Sequence, residues 1–261
     1  MDFDLKNKTA IICGATQGIG FGIAKEFSNQ DVNLILIARN KKKLISCIKL
    51  LKNPEKHSFI CVDFSKPKDL RKSLYNYFKK HKPTVHVLIN NTGGPPSGLI
   101  NKAQVEDFTK AFDMHVLCNQ ILVQAVVPGM KKVSFGRIIN IISTSVKIPI
   151  AGLGVSNTVR GAVASWAKTM ANELGEFQIT VNNILPGYTN TSRLSSLFKK
   201  MSLSQKTSVK KIKSNIINRI PAKRLGLVND IAYAATFLAS PRAAYINGVS
   251  IPVDGGRTGS L

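Results

Sequence analysis

The stretch Thr9-Ala10-Ile11-Ile12-Cys13-Gly14-Ala15-Thr16-Gln17-Gly18-Ile19-Gly20 decides how the chain is read. Five apolar or β-branched residues run without alternation into a glycine-rich turn, and the turn opens a segment of helical periodicity. A strand that does not alternate is covered on both faces, as in a parallel sheet between two helical layers. Gly14, Gly18 and Gly20 let the backbone approach a diphosphate, while the following helix offers that anion unpaired N–H groups and the positive end of its dipole. The spacing is G-x-x-x-G-x-G rather than G-x-G-x-x-G. Its position after the first strand of a βαβ unit still favours dinucleotide binding, with Thr16, Gln17 and Ile19 completing the cradle, over a plain strand-to-helix turn.

Outward from this turn, apolar runs rich in branched residues recur at 9–13, 33–38, 58–62, 85–90, 137–143, 179–185 and 248–253. Segments of helical period separate them, at 18–30, 66–80, 104–131 and 156–175 among others, with Pro128 near the end of the third. The alternation predicts an α/β fold, a single doubly wound Rossmann-type sandwich over 1–261 with a seven-stranded parallel sheet. A length of 261 residues suits one such domain. Residues 191–224 depart from the rhythm: they follow Pro186-Gly187, are polar and basic, and read as an inserted helical lid.

At the end of the second strand, where a carboxylate would accept hydrogen bonds from the ribose 2′-hydroxyl of NAD, the chain has Ala38-Arg39-Asn40 followed by three lysines. A cation there suits a 2′-phosphate, so NADP(H) is preferred over NAD(H). Asp63 closes the third strand and either caps the next segment or meets the adenine amine.

The formal charge of +23, from 37 basic and 14 acidic residues, would ordinarily point to a polyanion. Here 28 lysines outnumber nine arginines and are scattered, and no nucleic-acid motif is present. Codon bias therefore explains the charge better, and no nucleic-acid partner is expected. Cys13, Cys47, Cys61 and Cys118 are far apart and form no C-x-x-C pair, which fits reduced thiols in the cytoplasm and no metal site. Met1-Asp2-Phe3-Asp4 has neither a basic flank nor an apolar stretch, and no window approaches ~18 uninterrupted apolar residues, so neither export nor a membrane span is expected.

Four further motifs extend the pattern over essentially the whole chain: Asn90-Asn91-Thr92-Gly93, the run from Gly136-Arg137 to Ile142-Ser143, the run from Val181-Asn182-Asn183 to Pro186-Gly187, and Asp254-Gly255-Gly256. In this order and spacing the chain resembles the short-chain dehydrogenase/reductase family, and in pattern its 3-oxoacyl-(acyl carrier protein) reductases. The resemblance implies an NADPH-dependent oxidoreductase of fatty-acid metabolism that reduces a 3-oxoacyl thioester or a similar small carbonyl compound and assembles as a homotetramer. It also implies that Asn90, Thr92 and Gly93 support the sheet and back the cofactor ribose, and that Pro186, Gly187 and Thr191 meet the nicotinamide carboxamide. The cations of the lid, from Lys199 and Lys200 to Lys223 and Arg224, either dock an acidic acyl carrier protein or form a solvated basic face.

At the reaction centre the chain departs from the family. The family's proton chemistry rests on a Y-x-x-x-K motif assisted by a serine and an asparagine. Ser143 matches the serine, but Ser156 stands at the tyrosine position, Arg160 at the lysine and His115 at the asparagine. Ser156-Asn157-Thr158-Val159-Arg160 resembles a Ser-Asn-x-x-Arg sequence carried by a minority of reductase-like members. Ser156 and Arg160, four apart, share one helix face. A serine hydroxyl is a much weaker acid than a phenol, so direct donation by Ser156 is not expected. Arg160 can bind the nicotinamide ribose and stabilise a developing oxyanion without losing a proton. The candidate proton donors, in order, are a water in the vacated space, Tyr188 and His115. The competing expectation is a dinucleotide-binding subunit of a hetero-oligomer that does not turn over.

Overall fold

A computed structural model describes residues 3–260; Met1, Asp2 and Leu261, which the single-domain reading includes, lie outside them. The strands are β1 (Thr9–Cys13), β2 (Asn33–Ala38), β3 (Ser58–Cys61), β4 (Val87–Asn90), β5 (Gly136–Ile141), β6 (Ile179–Pro186) and β7 (Ser250–Val253). They form one parallel sheet in the order β3-β2-β1-β4-β5-β6-β7, as the unalternating apolar runs predict. The predicted fifth strand ends early. The Ser143 hydroxyl accepts from the Ser145 N–H at 3.1 Å and starts a tight turn, which takes Ser143 out of the ladder and aims it at the site.

Helices α1 (Gly18–Asn29), α2 (Lys41–Lys49) and α9 (Val228–Ala239) cover one face of the sheet. There Ile23, Phe27 and Ile231 pack against Ile12, Leu36 and Ile139. On the other face α3 (Pro67–His81), α5 (Cys118–Lys132) and α6 (Gly154–Leu174) bury Leu70, Leu122 and Ala167 against Ile11, Leu88 and Ile138. Each such aliphatic side chain removed from water contributes roughly 1.5–3 kcal/mol, and together they hold the strand ends in place.

The sequence predicts one uninterrupted helix over 104–131. The structure instead has α4 (Val105–Phe112), a π turn at Asp113–Leu117, and then α5. The wider turn takes in an extra residue and rotates the helix face, carrying His115 into the interior with 2% of its surface exposed. Pro128 lies inside α5, four residues before its end. Between β6 and α9 the chain inserts α7 (Ser192–Ser204) and α8 (Val209–Asn218). Leu194, Phe198, Ile212 and Ile216 give this pair a small core of its own. No helix among the described residues is long and apolar enough to cross a membrane. All four cysteines are free, Cys61 alone of them being exposed.

A polar ladder crosses the carboxyl-terminal half of the sheet. Asn90 stands opposite Asn140, Asn140 opposite Asn183, and Asn183 opposite Ser250. The Asn90 amide donates to Asn140 at 2.8 Å, Asn140 to Asn183 at 2.9 Å, and Asn183 to the Ser250 hydroxyl at 3.0 Å. A buried amide without a partner costs several kcal/mol, so each of these groups requires its neighbour in register. Asn140→Leu strands the Asn90 donor and the Asn183 acceptor together. Its expected cost is about 2–4 kcal/mol, read as a lower urea midpoint at unchanged slope; a midpoint equal to the parent's would remove the ladder from the stabilising interactions.

Candidate active site

The site lies at the carboxyl ends of the strands, at the point where β1 and β4 adjoin and the strand order reverses. Ligands of doubly wound sheets bind at such a point. After β1 the chain turns at Gly14, with φ +60°, and enters α1 through Gly18, with φ +54°. The Asn91 side-chain amide, just past β4, donates to the Cys13 carbonyl at 3.2 Å. A Cβ on Gly14 would stand 2.6 Å from the Asn91 carbonyl oxygen, and one on Gly20 would strike the Gly14 carbonyl. The turn is therefore closed tightly against β4 and leaves its outer backbone facing a cavity of about 430 Å³.

That cavity is lined by Gly14, Thr16, Gln17, Gly18 and Ile19 on one side. Arg39 and Asp63 line it at the β2–β3 end, and Thr92, Gly93 and Thr191 on the far side. Arg39 is largely exposed, 3.9 Å from the Asp63 carboxylate. The Asp63 carboxylate accepts from the Ser65 N–H at 2.9 Å in the turn ahead of α3, whose own N-cap is Lys66, and that bond is the main influence holding its carboxyl below the usual range. The carboxylate still lines the cavity.

A second cavity of about 230 Å³ adjoins the first, sharing Ile19, Asn91, Thr92, Thr191 and Arg193. The structure brings Ser143, Ser156, Arg160 and Tyr188 together in its wall, with Pro186 and Gly187 at its side. Arg160 is 7% exposed and donates to the Ile141 carbonyl at 2.9 Å, while its Nε has no partner. Burial, assisted by the nearby Arg193 charge, lowers the Arg160 guanidinium to about 10, which leaves it charged at neutral pH. Thr191 accepts from the Leu194 N–H at 3.3 Å and so starts α7 against the cleft.

Four residues expected in the site do not line either cavity. Gly20 lies within α1, where it serves the close packing on Gly14 rather than the ligand. Asn40 caps α2 by accepting from the Lys43 N–H at 2.9 Å. Asn90 is spent on the amide ladder. His115 is enclosed beneath the site: its ring hydrogen-bonds the Gly93 backbone, and its Nε2 has no partner. Burial first, then the charges of Arg160 and Arg193, push it down to about 2. The imidazole is therefore neutral at any physiological pH and positions the Asn90–Gly93 turn instead of supplying an imidazolium proton. Of the cations in residues 191–224, Arg224 is paired with Asp230 at 2.6 Å and Lys223 donates to the Asn218 carbonyl at 2.7 Å. Lys199, Lys200 and Lys206 are exposed.

Asn91, quoted within its motif but given no role, lines the cleft, and so do Arg193 and Arg257, which no motif contains. Arg193 follows Thr191 by two residues and Arg257 directly follows Asp254-Gly255-Gly256, so adjacency to recognised motifs was the only available signal.

The fold, the glycine cradle and the arginine at the β2 end define a dinucleotide-dependent α/β oxidoreductase. The family model described as enoyl-(acyl carrier protein) reductase matches residues 14–258. The chain belongs to the short-chain dehydrogenase/reductase family of NAD(P)-dependent oxidoreductases. It is 29% identical over 259 residues to the NADPH-dependent reductase BacG of Bacillus subtilis, covering 98% of this chain and 100% of the relative. It is 31% identical to the 3-oxoacyl-(acyl-carrier-protein) reductase FabG of Chlamydia muridarum, over 97% of this chain and 98% of that one. Among solved structures, YwfH, an NADPH-dependent reductase involved in bacilysin biosynthesis, superposes with a TM-score of 0.92 at 30% identity, over 98% of this chain and 100% of that chain. The L-sorbose reductase of Gluconobacter frateurii, complexed with NADPH and L-sorbose, gives a TM-score of 0.92 at 27% identity over 100% of both.

The burial of His115 has a pH consequence. The folded imidazole titrates at about 2 and the unfolded one near 6.5. Between those values the unfolded chain binds a proton that the folded chain refuses, so stability is full above 6.5 and falls as the pH drops. The loss reaches ~1.4 kcal/mol per pH unit once the unfolded imidazole is charged. His57 and His86, also lowered by burial, act in the same direction. In His115→Asn the melting temperature should decline less between about pH 7 and 5 than in the parent. Parallel curves would show that His115 is protonated in the folded protein.

Proposed function

We propose that this protein is an NADPH-dependent reductase of a 3-oxoacyl thioester or a similar small carbonyl compound, working through a reaction centre in which serine and arginine replace the family's tyrosine and lysine. One observation carries the reading: the cavity beside the glycine cradle opens directly onto a second cavity whose wall holds Ser143, Ser156 and Arg160 together. Gly14, Thr16, Gln17 and Gly18 line the cavity that would take the cofactor's diphosphate at the start of α1, and Arg39 offers a guanidinium to a 2′-phosphate. The NADPH dependence of BacG and of YwfH supports the same cofactor here.

When bound, the reduced nicotinamide supplies a hydride to the carbonyl carbon. Negative charge then develops on the carbonyl oxygen. Ser143 donates a hydrogen bond to that oxygen, and Arg160, buried and permanently charged, stabilises it. The proton comes from a water held by the Ser143 and Ser156 hydroxyls, where a tyrosine ring would otherwise stand, and the hydroxide left behind regains a proton from bulk water through the open cleft. The α7–α8 pair, whose first turn lines both cavities, forms the lid over the substrate.

Two measurements test this. In NADPH oxidation assays with a carbonyl panel that includes acetoacetyl thioesters, Ser143→Ala and Arg160→Ala should each lower kcat about 100-fold or more, whereas Tyr188→Phe should retain most of the turnover. A Tyr188→Phe loss as large as that of Ser143→Ala would make the phenol the donor. Saturable NADPH binding with no reduction of any carbonyl would favour the non-catalytic subunit. Separately, Arg39→Ala should weaken NADPH at least tenfold relative to NADH, as loss of one bidentate phosphate contact requires; an unchanged ratio would place the 2′-phosphate elsewhere.

A further inference from the structure

Three arginines, Arg160, Arg193 and Arg257, stand in the wall of the substrate cavity, and no aspartate, glutamate, lysine or histidine does. None of the three is in an ion pair among the described residues. Arg160 is buried, Arg257 half-buried and Arg193 exposed, and with no carboxylate in the wall to answer them they give the cavity a positive potential suited to an anion. The chain carries 28 lysines but only nine arginines. Codon bias toward lysine therefore does not account for three guanidinia in one small wall.

The three differ in what remains free. Arg160 is committed to the Ile141 carbonyl through one nitrogen and sits beside Ser143 and Ser156 at the reacting carbonyl. Arg193 lines both this cavity and the one beside the glycine cradle. Arg257 lines only the substrate cavity of the two. It is held there by a built turn: the Asp254 carboxylate accepts the Gly256 N–H at 3.0 Å and the Thr258 N–H at 2.8 Å, on either side of Arg257. The Arg257 guanidinium lies 4.8 Å over the Tyr188 ring, which leaves its N–H edge for a ligand. A fork fixed in this way loses little freedom on binding a planar carboxylate.

Resting on the reductase reading, we propose that the substrate is a carbonyl compound bearing its own carboxylate, an oxo acid, with Arg257 as the residue that seats the carboxylate and sets specificity. A neutral acyl thioester would leave the charge of Arg257 unanswered. Arg257 thus distinguishes substrates, and Arg160 acts at the bond that is reduced.

The test pairs acids with their esters: acetoacetate and phenylpyruvate against methyl acetoacetate and methyl phenylpyruvate, with the acetoacetyl thioester of N-acetylcysteamine as the neutral thioester. NADPH binding is titrated in parallel. The acids should be reduced with kcat/KM about 100-fold above their esters, a factor on the order of what a charge-assisted contact in a half-enclosed site supplies. Arg257→Gln should bring that ratio to within about threefold, and Arg257→Lys should restore part of it. Esters or the thioester reduced as well as the acids would overturn the proposal and leave the reductase reading standing. If NADPH binds and nothing is reduced, the reductase reading falls, and calorimetric titration of the NADP⁺-loaded protein with succinate decides the anion seat. Uptake abolished by Arg257→Gln and weakened by salt supports the seat; no uptake, or uptake indifferent to the substitution, overturns it.

Discussion

The structure depends on the close approach of the β1–α1 turn to the end of β4. Asn91 donates to the Cys13 carbonyl, and Gly14 and Gly20 bring backbone against backbone where any side chain would collide. This contact is steric before it is electrostatic. It sets how far the two halves of the sheet open at the switch point, and therefore the width of the cavity beside the glycines. A larger residue at Gly14 would have to adopt φ +60° and displace Asn91 together, a double cost that the rest of the fold has no means of absorbing.

From that junction the amide ladder carries the alignment outward. Asn90 stands next to Asn91 in sequence, and its amide begins the chain through Asn140 and Asn183 to Ser250. Hydrogen-bonded groups buried in an apolar layer tolerate little displacement, since breaking one strands two. The carboxyl ends of β4 to β7 are thereby fixed relative to one another, and Ser143, Gly187 and the Asp254 turn all project from those ends. His115 supports the same region from below, through the Gly93 backbone. A polar framework that is kept neutral lies under a cleft whose charged side chains are mostly cationic.

In the proposed reaction centre, serine and arginine in place of tyrosine and lysine exchange a titrating pair for a fixed one. Arg160 remains charged even at 7% exposure, so the site keeps a permanent positive potential where the family's lysine could vary its own. The hydroxyl that remains at Ser156 is too weak an acid to donate directly, and the volume it vacates suits a water. Arg193 and Arg257 strengthen the same potential from the first turn of α7 and from the carboxyl-terminal turn.

The amino-acid sequence by itself determined the strand rhythm, the parallel sheet and the glycine-rich turn after β1, because each is a local pattern of a few residues at fixed spacing. It could not show the π turn that sends His115 inward, since the helical period reads straight through 104–131. Nor could it show that Asn40 is a helix cap and Asn90 a ladder member, because one residue type serves caps, ladders and ligands alike. Only the tertiary structure decided which side chains share a wall: Arg160, Arg193 and Arg257 are 33 and 64 residues apart in sequence and converge because β5, β6 and β7 end at one edge of the sheet. Charge convergence is a property of distances in space, and spacing along a chain carries no record of it until the sheet has formed.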